Sequence, residues 1–221
     1  MSADSGSPGP TLPPGQFAGR AFIRFGLGRF RTNAVVHDGP ARLELRGMVA
    51  QPRTIDAELA GLARVTQVSD FHCVTTWSVF GCAWQGVRFA EFCAALARPL
   101  PEAGTVVFHG LDGYRCAMAL DDLLADDVLL ADTLDGAPLG LAHGGPLRLI
   151  APAHYGYKNV KHIAAIEFCK DRRGYRFPLP YPGLMDHPRG RVALEERAQF
   201  VPNWRLRPIY RLFVPREVTG R

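Results

Sequence analysis

Alternating apolar and polar positions predict several β-strands through the middle of the chain. ARLELRGMV, which begins at Ala41, alternates as a half-buried strand does, and Pro52 closes it. Apolar runs predict further strands over residues 65–74, in TVVFHG, in GYRCAMAL, at the start of PLRLIAPAHYGY and in KHIAAIEF.

Helical spacing of apolar residues is visible at fewer places. Thr54 can cap a first helix, with apolar positions at Ile55, Leu59 and Leu62. Apolar spacing also predicts a second helix, and short ones are expected in LDDLLADD and VALEERAQF. The apolar face of the second helix consists of Phe89, Phe92, Cys93 and Leu96.

Strands and helices do not alternate strictly, so the prediction is an α+β (mixed α/β) domain with mixed, partly antiparallel sheets. Residues 1–16 are small, polar and proline-rich, which is typical of a flexible lead-in. We place the domain at 17–176, its first stretch being an aromatic loop that lies on the rest. An irregular basic extension, 177–221, is expected to pack on the domain; docking to a partner or peripheral contact with a membrane surface are alternatives.

Composition narrows the class of protein. The chain has 221 residues, 47% hydrophobic and 21% charged, which is ordinary globular usage. The net charge of +5 suits nucleic acid, acidic lipid or an anionic ligand, but nucleic-acid-binding motifs are absent. No apolar run reaches 18 residues and no signal segment opens the chain, so we expect a cytoplasmic protein without a membrane span. Five cysteines without a CxxC pair are expected to be reduced.

Cys73 is the first candidate for chemistry. It ends a predicted strand in FHCVTTW, and functional side chains are often presented where a strand opens into a loop. A small buried apolar role is the alternative, and packing is what we predict for Cys82, which we place in a loop, and for the other cysteines.

A second candidate is the turn HYGYKNVKH, which contains two lysines. Lys158 and Lys161 are three residues apart, so both ammonium groups can point at one anion, although a solvated basic loop has the same composition. In HGGPLRLIAP, Arg148 lies on the face opposite Leu147 and Leu149. The spacing does not tell whether that face is exposed to solvent or turned inward toward an anionic ligand.

Together these segments resemble the oxidoreductase molybdopterin-binding domain. This is the fold shared by sulfite oxidase, assimilatory nitrate reductase and bacterial protein-methionine-sulfoxide reductase. The resemblance runs from about Ala41 to Cys169 and is carried by FHCVTTWS, WQGVRF, GGPLRLIAP and YGYKNVKHI.

The resemblance implies a sulfite oxidase-type fold and a molybdenum-pterin (molybdopterin) cofactor. Cys73 would be the catalytic residue and the single protein ligand of molybdenum. The chemistry implied is oxygen-atom transfer or reduction of a small-molecule substrate, such as an S-oxide or N-oxide, with a separate electron-transfer partner protein. The implied cofactor-binding residues are His72, Gly110, His143, Arg148, Tyr157, Lys158, Asn159, Val160 and Lys161.

Departures from the family bear on the substrate. Trp77 and Ser78 occupy the stretch where sulfite oxidases carry an arginine pair, which argues against sulfite. Thr75 stands where the methionine-sulfoxide reductase branch has a glutamate, which argues against that activity. The absence of the sulfite oxidase dimerisation domain indicates a monomer.

Three other functions compete with the enzyme. The same fold could be a non-catalytic molybdopterin-binding or partner-binding module. The basic tail could bind nucleic acid, which we do not expect. A thiol hydrolase could pair Cys73 with His109 or His143, but no motif orients such a pair.

Overall fold

Two β-sheets form the body of the protein in a computed structural model, which describes residues 11–24, 26, 30, 35, 41–179 and 181–220. The first sheet contains β1 (Phe17–Ala18), β4 (Arg64–His72), β5 (Trp77–Arg88), β8 (Leu129–Leu134), β9 (Ala137–Pro138) and β10 (Arg148–Ile150). The second contains β2 (Leu43–Gly47), β3 (Arg53–Ile55), β6 (Thr105–Gly110), β7 (Arg115–Ala119) and β11 (Ile163–Cys169).

Both sheets mix parallel and antiparallel neighbours. In the first sheet the long strand β5 pairs antiparallel with β4 and β8, and β1 joins it in parallel. The second sheet has the order β3-β2-β11-β6-β7, in which β2 and β11 are parallel and the other pairs antiparallel. The α+β class with partly antiparallel sheets is confirmed.

Helices are short. They are α1 (Phe89–Phe92), which continues into a π-helical turn at Cys93–Ala97, α2 (Leu120–Leu123), α3 (Asn203–Arg211) and α4 (Arg216–Thr219). Short 3-10 turns lie at Ala57–Gly61 and Leu141–His143. Among the described residues, no helix is long and apolar enough to cross a bilayer.

The predicted strands are present, and so is the helix that begins at Phe89. The helix predicted after Thr54 is only a 3-10 turn at Ala57–Gly61: Thr54 and Ile55 belong to β3, where they pair with Glu44 and Leu43. Pairing buries Ile55 completely, whereas an isolated helix of that length would be marginal. Cys82, placed in a loop by sequence reasoning, lies within β5.

The helix predicted in VALEERAQF is also wrong. Glu195 has a φ of +51°, which a right-handed helix does not contain, and the chain runs there in turns. The helix of this region begins later, at Asn203, directly after Pro202.

The main hydrophobic core joins both sheets. It contains Val87 and Leu130 from the first sheet and Val106 and Ile166 from the second, with α1 contributing Phe89. The 177–220 segment contributes its own buried side chains to this core; they are Phe177, Met185, Val192, Leu206 and Tyr210.

Candidate cofactor site

Cys73 lies in the tight turn that connects β4 to β5. Its backbone N–H donates to the Trp77 carbonyl at 2.8 Å, and the Thr76 N–H donates to the Cys73 carbonyl at 3.2 Å. Thr76 closes the turn with a φ of +78°. The hairpin therefore holds the cysteine in one position at the end of β4.

The Cys73 side chain is buried and lines a large cavity. Its Sγ lies 3.0 Å from the Thr75 hydroxyl oxygen, and Trp77 and Val218 belong to the same small apolar cluster. Burial raises the pKa of the Cys73 thiol; hydrogen bonding by Thr75 and the positive charge of Lys161 oppose that rise. A bound metal ion would favour the thiolate far more strongly.

The cavity gathers most of the residues that sequence reasoning selected. The space between its walls, including the part open to solvent, is about 950 Å³. The predicted residues on its walls are Cys73, His143, Arg148, Tyr157, Asn159, Val160 and Lys161.

Arg148 faces inward. Its side chain is 1% exposed, and Nη1 donates to the His143 carbonyl at 2.7 Å. Nε and Nη2 are buried and have no hydrogen-bond partner in the described part of the chain. Burial lowers the pKa of Arg148 to about 10. The guanidinium is therefore a cation that an anionic ligand in the cavity would complement.

Two more groups add to this polar end of the cavity. The His143 Nδ1 is buried with no partner among the residues described. Burial lowers the pKa of Lys161 to about 8, and the nearby charge of Arg148 acts in the same direction. A phosphate would relieve the repulsion between the positive charges of Arg148 and Lys161.

Gly144 allows the side chains of Arg148 and Lys161 to lie close to its backbone. It has a φ of +101°, and a Cβ there would lie 2.8 Å from the Lys161 Cγ and 3.3 Å from the Arg148 Cβ. Any larger residue would push both side chains away.

Asn159 holds the cofactor loop, which we define as residues 151–162, in its closed shape. Its Oδ1 accepts a hydrogen bond from the Ala151 N–H at 2.7 Å. Its Nδ2 donates to the carbonyls of His154 and Tyr155, both at 3.2 Å. The amide group is thus engaged within the loop, which presents Val160 and Lys161 to the cavity.

The two lysines of this loop do not converge, contrary to the expectation from their spacing. Lys158 donates from Nζ to the carbonyls of Ala117 at 2.8 Å and Pro188 at 3.1 Å, and it lies outside the cavity. Tyr157 lines the cavity, and its hydroxyl accepts a hydrogen bond from the His187 N–H. Both residues therefore also attach the loop to the C-terminal extension.

His72 and Gly110 lie off the cavity wall. The His72 Nδ1 is 2.8 Å from the Ser78 Oγ across the β4–β5 hairpin. Gly110 packs behind Lys161: a Cβ on it would lie 2.9 Å from the Lys161 carbonyl oxygen. Neither residue lines the cavity, so a cofactor contact for His72 and Gly110 stays a prediction.

Sequence reasoning missed part of the cavity wall and a buried arginine. The aromatic stretch before residue 30, predicted to lie on the domain, contributes Phe22 and Ile23 to the wall. Arg197 is fully buried; its Nη1 donates to the Val74 carbonyl at 2.5 Å and its guanidinium lies 4.8 Å from the Tyr155 ring. No local pattern in VALEERAQF signals that contact.

The residues present fit a molybdenum-pterin cofactor. Nitrogens of Arg148 and His143 that have no partner among the described residues suit a phosphate. Aromatic walls such as Phe22 and Tyr157 suit a flat ring system, and the Cys73 thiol suits a soft metal.

Comparison with known proteins agrees with this fit. The oxidoreductase molybdopterin binding domain matches residues 34–176. An uncharacterized oxidoreductase of Bacillus subtilis, YuiH, is 38% identical over 130 residues, which are 58% of this chain and 65% of that protein. The protein-methionine-sulfoxide reductase catalytic subunit MsrP of Gluconobacter oxydans is 30% identical over 206 residues, 79% of this chain and 65% of that protein.

The chain spans 65% of the length of each of these two relatives, and the rest of each lies outside the match. The crystal structure of the sulfane dehydrogenase SoxCD from Paracoccus pantotrophus has a TM-score of 0.54 at 20% identity. It covers 67% of this chain and 40% of that chain, and shows that the fold is shared. The chain therefore belongs to the oxidoreductase molybdopterin binding domain family, which confirms the enzyme class and the cofactor that its motifs predicted.

Proposed function

We propose that this protein is a molybdenum oxidoreductase in which Cys73 is the protein ligand of the metal. Its reaction would transfer an oxygen atom to or from a small molecule of the S-oxide or N-oxide type. The observation that carries the proposal is that the Cys73 thiol and the partly unsatisfied guanidinium of Arg148 line one cavity.

The polar end of the cavity would bind the phosphate of the cofactor. Arg148 offers two N–H-bearing nitrogens and Lys161 a second positive charge; Arg148 is buried and Lys161 half-buried, so water screens their charges less than at the surface. The Asn159 hydrogen bonds keep the loop in the shape that places Lys161 beside Arg148.

The thiol end of the cavity would bind the metal. The β4–β5 turn fixes Cys73, and Arg197 holds the neighbouring Val74 carbonyl, so the thiolate would have one orientation. When bound, the cofactor supplies the two-electron redox chemistry that oxygen-atom transfer needs.

The substrate would be a small neutral oxide. Thr75 and Trp77, which follow the cysteine, are fully buried and carry no charge, so they offer no positive charge to a sulfite dianion. Reduction of an S-oxide breaks the sulfur–oxygen bond and consumes two electrons and two protons, releasing a sulfide and water. We propose a separate electron-transfer protein as the donor.

The geometry does not favour a thiol hydrolase. His109 pairs with Glu167 at 2.9 Å on the second sheet and does not line the cavity. The Cys73 Sγ is hydrogen-bonded to Thr75, and burial raises the pKa of its thiol, the opposite of what activates a nucleophile.

The test is the molybdenum and pterin content of protein purified from a host that makes the cofactor. We expect near-stoichiometric molybdenum in the wild type and a loss of at least tenfold in Cys73→Ser. Cys93→Ser is the matched control, because both cysteines are 4% exposed but Cys93 lies away from the cavity.

Turnover is measured on the same preparations with S-oxides and N-oxides and a reduced viologen dye as electron donor. Retained molybdenum in Cys73→Ser would show that another group ligates the metal. Full loading of the wild type without turnover of any oxide would reject oxygen-atom transfer while leaving the cofactor assignment intact.

A further inference from the structure

Helix α3 is apolar on two opposite sides. Leu206 and Tyr210 are 0% and 1% exposed and belong to the main core. Trp204 and Leu212, eight positions apart and therefore on one side of the helix and its C-terminal turn, are 68% and 83% exposed. The inner face is explained by the packing of the extension, whereas the outer face has no such explanation.

Two further exposed aromatic residues flank the helix in sequence. Phe200, before the helix, is 82% exposed and Phe213, after it, is 48% exposed. Five large apolar side chains thus meet solvent within residues 200–213, whereas single exposed apolar residues are normal on any surface. We call this set the docking face; its members are Phe200, Trp204, Ile209, Leu212 and Phe213.

The docking face is also positively charged. Arg205, Arg211 and Arg216 are exposed and form no ion pair with any described residue, while Arg207 is engaged by Glu195. The sequence contains no acidic residue between Glu196 and Glu217. A binding surface opposite this face must therefore accept apolar side chains and carry negative charge.

We propose that the docking face binds an anionic lipid surface. Side chains more than four-fifths exposed, such as Phe200 and Leu212, project into solvent. A bilayer interface needs no matching shape, and it accepts tryptophan and other apolar side chains at the level of the headgroups. Arginines beside them add attraction to anionic lipid.

The test uses the full chain with its cofactor and vesicles of two kinds. One is phosphatidylcholine mixed with phosphatidylglycerol, the other phosphatidylcholine alone. We expect co-sedimentation with the mixed vesicles, weaker at high salt, and little with the neutral ones.

Tryptophan fluorescence reports the contact directly. The chain has three tryptophans, of which Trp77 and Trp84 are fully buried and Trp204 is exposed. A blue shift on adding mixed vesicles is therefore expected from Trp204, and Trp204→Phe should keep binding but lose the shift.

Matched variants separate this surface from the rest of the molecule. Trp204→Ser with Leu212→Ser should weaken vesicle binding by about tenfold or more, because each buried apolar side chain contributes to insertion. Val68→Ser, at a 68% exposed residue on β4, should bind as the wild type does. Arg205→Glu and Arg211→Glu should each weaken vesicle binding by about fivefold or more, whereas Arg173→Glu should change it little.

Equal binding of wild type and the Trp204/Leu212 variant would overturn the proposal, as would equal binding to neutral and anionic vesicles. If neither vesicle is bound, the proposal is also wrong, and an acidic protein partner becomes the alternative. Cofactor content and turnover are independent readouts, so failure here leaves the proposed function untouched.

Discussion

Arg148 is a buried cation that the protein itself satisfies only in part. One of its nitrogens donates to the His143 carbonyl, two have no partner among the described residues, and the rings of Trp84 and Phe71 lie 5.0 and 5.5 Å from its guanidinium carbon. A buried charge without full hydrogen bonding destabilises the ligand-free protein, and an anionic ligand that pairs with it removes that cost.

Replacing Arg148 with methionine should therefore separate stability from binding. We expect the free energy of unfolding of the cofactor-free protein to stay equal or rise by about 1 kcal/mol, because the desolvation cost of the charge disappears. Pterin content should fall by roughly tenfold, the order of a lost charge-assisted hydrogen bond. Urea denaturation and pterin fluorescence measure the two effects.

Arg197→Met is the control, since Arg197 is equally buried but donates to the Val74 and Gly15 carbonyls and lies over Tyr155. It should lose about 3 kcal/mol of unfolding free energy. A comparable loss in Arg148→Met would mean that Arg148 is mainly a structural residue.

At the scale of elements, the cofactor loop is kept closed by one amide side chain. Asn159 connects the strand end at Ala151 with the turn at His154 and Tyr155, and the loop then returns into β11. The arrangement substitutes side-chain hydrogen bonds for regular secondary structure.

Asn159→Ala should lower the free energy of unfolding by about 2–3 kcal/mol, because it leaves the buried Ala151 N–H without an acceptor. Asn203→Ala removes a single hydrogen bond, from Nδ2 to the Glu195 carbonyl, and should cost about 1 kcal/mol. Urea titration compares the two; equal losses would show that the loop does not depend on Asn159.

At the scale of the whole molecule, the C-terminal extension shares the main hydrophobic core with the two sheets. It contributes Leu206 and Tyr210 to the main core, and Pro188 and His187 contact the cofactor loop from behind. Cofactor binding and packing of the extension are therefore expected to depend on each other.

Two leucines of the same region test how firmly the extension is packed. Leu206→Ser should lower the unfolding free energy by about 3 kcal/mol or more, because it leaves a cavity and a buried hydroxyl in the core. Leu212→Ser, at an 83% exposed position, should stay within about 0.5 kcal/mol of the wild type. A small effect of Leu206→Ser on urea unfolding would mean that the extension is only loosely attached.

The sequence by itself determined the strands with clear alternation, the fold class, the family and its cofactor, and it placed Cys73 at a strand end. These follow from local periodicity and from contiguous motifs. Helix predictions at Thr54 and in VALEERAQF failed because strand pairing at Ile55 and the positive φ of Glu195 override a weak local pattern.

Only the tertiary structure decided which groups meet in the cavity. Alternation puts Arg148 on the face opposite its apolar neighbours but does not tell whether that face is exposed to solvent. The rings of Phe22 and Trp84, which pack around the guanidinium, bury it. The spacing of Lys158 and Lys161 allows their ammonium groups to converge. In the structure Lys158 instead donates to the carbonyls of Ala117 and Pro188, which are distant in sequence. Burial and long-range hydrogen bonds depend on the whole chain, and no local pattern contains them.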